Sequence, residues 1–295
     1  MEDILSKFGA VTVDQDTRIT AEDRAFCQKN QDAYEEAINN YQELRLFWEA
    51  MEEAQNKLLD GVLPKYRHDY LHSARGPEMT KERIARHVQS LHKDFIAAVI
   101  NYFRNEYKVS INEDEIAAVL LPKEPKVYSC NDIAAATAYQ EQLEKLRVKY
   151  QDVVEQIMLR MNGRQLTEQA FHELRTKCHD AAYRSGEPRF ERRKNVITFA
   201  DCFCRRKSWP YNAWELYDGA KDILRGMAHF ETGSYQTLPA GISEMVSSYY
   251  LENDIFDLSG CDRLRQVKLF KNGRADLRFS TDSDATLFIS TYLAA

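Results

Sequence analysis

No apolar run in this chain approaches the roughly 20 residues that a membrane-crossing helix needs, and so no transmembrane segment is predicted. The first residues, Met1-Glu-Asp-Ile-Leu5, place no basic stretch ahead of an apolar one, so no secretory signal is expected there. Cysteine is sparse: six residues without framework spacing, which points to reduced thiols and a cytosolic setting. There is no internal repeat and no low-complexity tract. A serine elbow, a phosphate-binding loop and a cysteine-protease signature are all missing. Residues 22–59 contain neither proline nor glycine.

What is present suffices for a real core. Apolar residues make up 44% of a 295-residue chain, a length for two domains or one large one. Of 40 Lys+Arg and 46 Asp+Glu, 19 and 18 lie from Asn162 onward. The acidity therefore belongs to the front of the chain, where it favours solubility and weakly repels nucleic acid.

Periodicity sorts the chain into an arm and a module. After a loose lead-in over residues 1–20, one helix is predicted from Glu22 to about Leu59, with Tyr34, Ile38, Tyr41, Leu44, Trp48, Met51 and Leu58 near three/four spacing. Gly61 and Pro64 end it, and a loop runs through Gly76-Pro77. Thr80 caps a second helix to about Tyr107, with Ile84, Val88, Leu91, Phe95, Val99 and Tyr102 on one stripe. Asn112 and Glu115 cap a short helix to Leu121. A third long helix is expected from Asp132 to Met161, stopped by Asn162-Gly163. Beyond it come a helix over Thr167–Ala182, one or two short strands over Arg189–Phe199, a helix capped by Asn212 with Glu215, and a helix over Pro239–Leu251. The expected fold is α+β and mainly α: a long-helix arm over residues 1–161, followed by an α+β module over residues 162–295 that ends in a β-hairpin and helix.

The tail is the most informative segment. Asn272-Gly273 between alternating apolar residues is a strong hairpin signal. A two-residue turn would set Leu269 opposite Asp276 and mix the faces. A three-residue loop, Lys271-Asn272-Gly273 with Gly273 left-handed, sets Leu269 opposite Ala275 and Val267 opposite Leu277, and so keeps one face apolar. Asp276 is then an exposed strand residue. Thr281 with Asp284 forms a capping box for a helix whose Leu287, Phe288, Thr291 and Tyr292 face the hairpin.

The run Leu-Phe-Lys-Asn-Gly-Arg-Ala-Asp-Leu-Arg-Phe over 269–279, with the Thr-Tyr-Leu at 291–293, resembles a bacterial family of unknown function carried on prophages and other mobile elements. A second patch, Trp214 through Phe230, looks like the helix that precedes the tail in that family. Members are sometimes fused to, or found beside, DNA methyltransferase-like domains. The resemblance spans about the last third of the chain and implies a phage or mobile-element setting, in the cytoplasm of a bacterial host. This chain has no Asn-Pro-Pro-Tyr or Asp-Pro-Pro-Tyr motif and no Gly-x-Gly turn. The family therefore lends it no catalytic residue.

Several residue groups could carry chemistry. Arg192, Arg193 and Lys194, with Arg205, Arg206 and Lys207, flank a strand and interleave with Trp209, Tyr211 and other aromatics. Cations neutralise phosphates and rings stack on bases, though an anionic protein surface suits the same cluster equally. Cys202 and Cys204, with Cys178, His179 and His172 upstream, lack the usual two-pair zinc spacing and read as buried thiols. His68 and His72 are four apart without an adjoining Glu, and His87 and His92 are five apart; all four read as surface or interhelical hydrogen-bonding residues. Glu187, Glu191 and Lys194 sit close enough in sequence to suggest a nuclease, but arginines crowd them. On the arm, neighbours Phe47 and Trp48 diverge by about 100° around a helix and cannot both face one core. One of them is expected to face another chain or domain, so self-association through the arm is predicted.

The expected function is binding without catalysis, with no cofactor and no metal: an accessory protein, most concretely an anti-defence inhibitor that grips a host immune protein complex. The alternatives are a nucleic-acid-binding module using residues 189–214, and a metal-dependent enzyme such as a nuclease.

Overall fold

The protein is described by a computed structural model covering residues 18–68, 70–71, 81–125, 133–161, 163–207 and 213–294. The expectations placed on His72, Gly76-Pro77, Thr80, Asn162, Trp209, Tyr211 and Asn212 fall outside these residues. The fold is α+β and mainly α. The chain divides into two compact units: residues up to Asn105 with Ile111–Gln165, and Glu106–Ser110 with the residues from Leu166 onward.

In the first unit, helix α1 (Ala21–Leu58) begins at a capping box. The Thr20 hydroxyl accepts the Asp23 N–H, and the Asp23 carboxylate accepts the Thr20 N–H. Helix α2 (Lys81–Tyr107) packs antiparallel to it, as three ring pairs in reverse order show: Phe26 on Tyr102, Tyr34 on Phe95 and Tyr41 on His87. The buried Asp23 is satisfied from both helices, since Tyr102 also donates to it at 2.8 Å. Asn112 caps α3 (Glu113–Leu120) by accepting from the N–H groups of Asp114 and Glu115.

The third long helix is a correction. It is two helices, α4 (Ile133–Lys145) and α5 (Tyr150–Arg160), separated by an extended step at Lys149. No proline or glycine causes the break. Side chains of α1 and α2 take over the backbone groups that helix continuation would have used. The Tyr34 hydroxyl accepts the Val148 N–H at 3.2 Å, and Gln31 accepts the Tyr150 N–H at 2.9 Å. His92, fully buried, bonds the Leu143 carbonyl through Nε2 at 2.9 Å and the Tyr34 hydroxyl through Nδ1 at 2.7 Å. A carbonyl only accepts, so Nε2 carries the proton. Tyr34 therefore donates to Nδ1 while accepting from Val148, and every member of the chain is satisfied.

In the second unit, α6 (Leu166–Ala182) and α7 (Asp218–Thr232) cross closely at Gly226, where an added Cβ would stand 2.6 Å from Cys178 Sγ. Strands β1 (Tyr183–Arg184) and β2 (Glu187–Pro188) form a small hairpin. The main sheet has five antiparallel strands: β3 (Phe190–Arg193), β4 (Val196–Phe199), β9 (Ala275–Phe279), β8 (Leu264–Leu269) and β7 (Ile255–Asp257), in that spatial order. Strands β5 (Cys204–Lys207) and β6 (Ala213–Leu216) make a separate pair. One face of the main sheet is core: Ile197, Leu277, Val267 and Phe256 follow one another across β4, β9, β8 and β7, all buried.

The tail hairpin has the expected register, Leu269 opposite Ala275 and Val267 opposite Leu277. Its loop closes through the Gly273 N–H on the Phe270 carbonyl, and Gly273 has φ 83°. Thr281 and Asp284 form the capping box of helix α9 (Asp282–Phe288). Three expectations here are corrected. Phe288 and Tyr292 are buried as expected, but Leu287 is exposed, and the π-helical turn over Ile289–Leu293 buries Leu293 beside Tyr292. The helix expected from Asn212 begins only at Asp218. Residues 213–216 are strand, paired with β5 and bridged at Trp214 to Leu251. Helix α8 (Ala240–Ser247) ends before Leu251 for the same reason, since Leu251 joins that bridge.

Three outcomes are expected from this architecture. Gly273→Ala should destabilise the protein by more than about 1 kcal/mol, because φ is left-handed and the new Cβ would meet the Cys204 carbonyl at 3.0 Å. Gly61→Ala, equally left-handed but in open space, should cost less in the same urea titration. The second outcome concerns pH. Burial, and after it the charge of Arg147, hold the His92 pKa below its usual value despite the bond to Leu143. The unfolded state then binds the proton first, so stability should be full above pH about 6.5 and fall as pH drops toward the depressed native value. Tyr34→Phe should cost about 1–3 kcal/mol at neutral pH by stranding the Val148 N–H and His92 Nδ1.

Candidate binding surfaces

The second face of the five-stranded sheet is polar, as alternation requires. Its side chains form two cross-strand rows. One runs Glu191, Thr198, Asp276, Lys268, Ile255, and the other runs Arg193, Val196, Arg278, Gln266, Asp257. At the β3–β4 edge this face deepens into a cleft of about 580 Å³, lined by Arg189, Glu191, Arg193, Thr198, Arg274 and Asp276 among others. Each arginine in it has a carboxylate partner: Arg189 with Asp201, Arg193 with Glu191 and Arg274 with Asp276, each at 3.4 Å. Asp276 is half-buried and also accepts from Thr198 at 2.9 Å, which corrects its reading as a freely exposed strand residue. Arg274 lies over the Phe270 ring at 4.0 Å.

The two predicted basic runs lie on different sheets. Arg192 turns toward α9, where it donates to the Thr286 hydroxyl at 2.8 Å and stitches β3 to that helix. Arg193 rims the cleft, and Lys194 sits in the β3–β4 turn with φ 53°. Arg205 and Lys207, on β5, both pair with Glu215 on β6, at 2.7 and 3.3 Å. The bond from Arg205 lowers the Glu215 pKa. Between them Arg206 covers the buried Trp214 ring at 5.3 Å. Arg189 and Arg274 carry no signal of this cleft in the sequence, because the β4–β9 pairing that brings the Arg274–Asp276 pair beside β3 and β4 is long-range.

The thiols are dispersed. Cys178 Sγ contacts the Asp222 carbonyl at 3.3 Å, whereas Cys204 Sγ lies near the Phe270 and Arg274 carbonyls. His179, next to Cys178, stacks on Tyr183. Burial pushes the Cys178 thiol up to about 12 and the Cys204 thiol up to about 11, so both stay protonated at neutral pH. Among the described residues no three His, Cys, Asp or Glu side chains are grouped to hold a metal ion. Glu187 is exposed on β2, and Glu191 is taken by Arg193.

On the first unit, α1 separates the aromatic pair as its geometry demands. Trp48 is buried and donates to Glu52 at 3.0 Å, while Phe47 is 64% exposed. Leu46 and Leu58 are exposed as well, so Leu58 does not belong to the core stripe predicted for it. Carboxylates of Glu49, Glu52, Glu53 and Asp60 lie on the same stretch.

No protein-family model, no curated protein and no solved structure matches the chain.

The split within α1 has a measurable consequence. Trp48→Ala should lower stability by about 3 kcal/mol or more, whereas Phe47→Asp, compared at a protein concentration low enough that both are monomeric, should stay within about 0.5 kcal/mol of the parent. Denaturant unfolding of the two variants side by side checks this.

Proposed function

We propose that this chain is a phage or mobile-element accessory protein that acts by binding, most concretely as an inhibitor of a host defence complex. The setting rests on the resemblance of the tail. The mode of action rests chiefly on one observation: the arginines of the sheet-face cleft, and Arg205 with Lys207 on β5, all sit beside carboxylates. A phosphate approaching them meets a neutralised surface with acids interspersed, which works against a polyanion. A protein surface of alternating charge meets matched partners instead, and such complementarity sets register and specificity. The exposed Leu46, Phe47 and Leu58 on α1 supply apolar anchors of the kind found at interface centres, here for self-association through the arm.

The test joins a cellular assay to two solution measurements. In a bacterial host carrying an active defence system, expression of the chain should restore phage plating, and Arg193→Glu with Arg278→Glu should abolish that effect. Light scattering should show an oligomer that Phe47→Asp reduces to the monomer. Short DNA and RNA, titrated at two salt concentrations, should show no submicromolar affinity near physiological salt. Submicromolar, steeply salt-dependent binding lost on replacing Arg192, Arg193, Arg205 and Arg206 by Ala would replace this reading with the nucleic-acid one.

A further inference from the structure

A second concavity of the α+β unit, of about 440 Å³, lies where the end of α7 meets the π-helical turn. Its chemistry differs from that of the sheet face. His229, half-buried on α7, bonds the Tyr292 hydroxyl through Nδ1 at 2.7 Å. Tyr292 is only 3% exposed, and its hydroxyl has no other hydrogen-bond partner among the described residues. If Nδ1 carried the proton, the buried phenolic O–H would be left without an acceptor. The satisfied arrangement has Tyr292 donating to Nδ1, so the imidazole is the Nε2–H tautomer and offers a donor away from Tyr292. The ring is held in place by Tyr235 at 4.3 Å and Phe171 at 5.6 Å.

Arg263 brings the charge. Its guanidinium lies over the Phe230 ring at 4.9 Å and ties Nη1 to the Phe230 carbonyl at 3.2 Å. Among the described residues it forms no ion pair. Among the described lining residues the one carboxylate, Glu231, is held by the backbone N–H groups of Asp262 and Arg263 and makes no ion pair with the Arg263 guanidinium, so its charge opposes an anion there without occupying the guanidinium. The walls are apolar, from Phe171, Phe230 and Leu287. The concavity thus combines a positioned guanidinium with a free edge, an imidazole N–H donor, aromatic walls and an acid that is internally satisfied.

We infer that this concavity is a binding site for a small carboxylic acid with an apolar body, such as an aryl-alkanoic acid. The carboxylate pairs with the free edge of Arg263 and accepts from His229 Nε2–H, while the apolar body packs on Phe171 and Leu287. This site does not depend on the sheet-face reading above, and its failure would leave that reading untouched.

The probe is 3-phenylpropionate, titrated into the full chain and followed through the His229 imidazole signals by NMR. Saturable binding in the roughly millimolar range is expected for a ligand of this size. The neutral isostere 3-phenylpropionamide, on the same unaltered protein, should bind at least about tenfold more weakly, and Arg263→Ala should weaken the acid by a similar factor. No saturable shift, or equal affinity for acid and amide, overturns the site. The amide comparison decides the matter even if Arg263→Ala fails to fold, and an unchanged affinity in a folded Arg263→Ala protein overturns the role given to the guanidinium.

Discussion

The α+β unit depends on one long-range pairing, β4 against β9. Thr198 and Asp276 face each other across it although 78 positions separate them in the chain. This pairing turns two local hairpins, β3–β4 and β8–β9, into one sheet with a buried and a polar face. It lines up Ile197 with Leu277 inside and Thr198 with Asp276 outside. A slip of one residue would exchange the two faces and expose the core row, so the apolar pattern holds the register. Gly273 reinforces it from the side: its carbonyl accepts from the N–H groups of Phe203 and Cys204, which ties the approach to β5 onto the hairpin loop.

The helical unit is organised by a polar constraint instead. His92 and Tyr34 are buried among apolar neighbours, and an unpaired polar group there costs more than the pair gains. With the backbone open between Leu143 and Tyr150, the pair also takes up the Leu143 carbonyl and the Val148 N–H. The break then brings Val148 into the core, 3% exposed, and lets Arg147 close over the Glu144 and Leu146 carbonyls. Arg45 pairs with Glu144 and fixes the same corner from α1.

Features with local causes were legible in the sequence. The three-residue loop follows from Asn272-Gly273 and the neighbouring apolar alternation, and the start of α9 follows from Thr281 and Asp284. Features with distant causes were not. The helix break looks like unbroken helix in sequence because its partners, Tyr34 and Gln31, lie 114 and 119 positions away. Ala213-Trp-Glu-Leu216 continues the apolar phase of α7, and only Arg205 and Lys207 on the opposite strand reveal it as β. Of the candidate sites, the basic runs were visible as composition, but their pairing with Glu191 and Glu215 was not. The His229–Tyr292 contact spans 63 positions and leaves no mark on either segment.

The close crossing at Gly226 also makes Cys178 a reporter. With no Cβ in the way, the α7 backbone rests against the sulfur, and the thiol is fully buried and held protonated. A labelling reagent can reach it only after α6 and α7 part. The rate at which Cys178 becomes modified therefore counts openings of this helix pair, in the manner of a slowly exchanging amide. Local breathing of the α+β unit is written into the chemistry of a single sulfur.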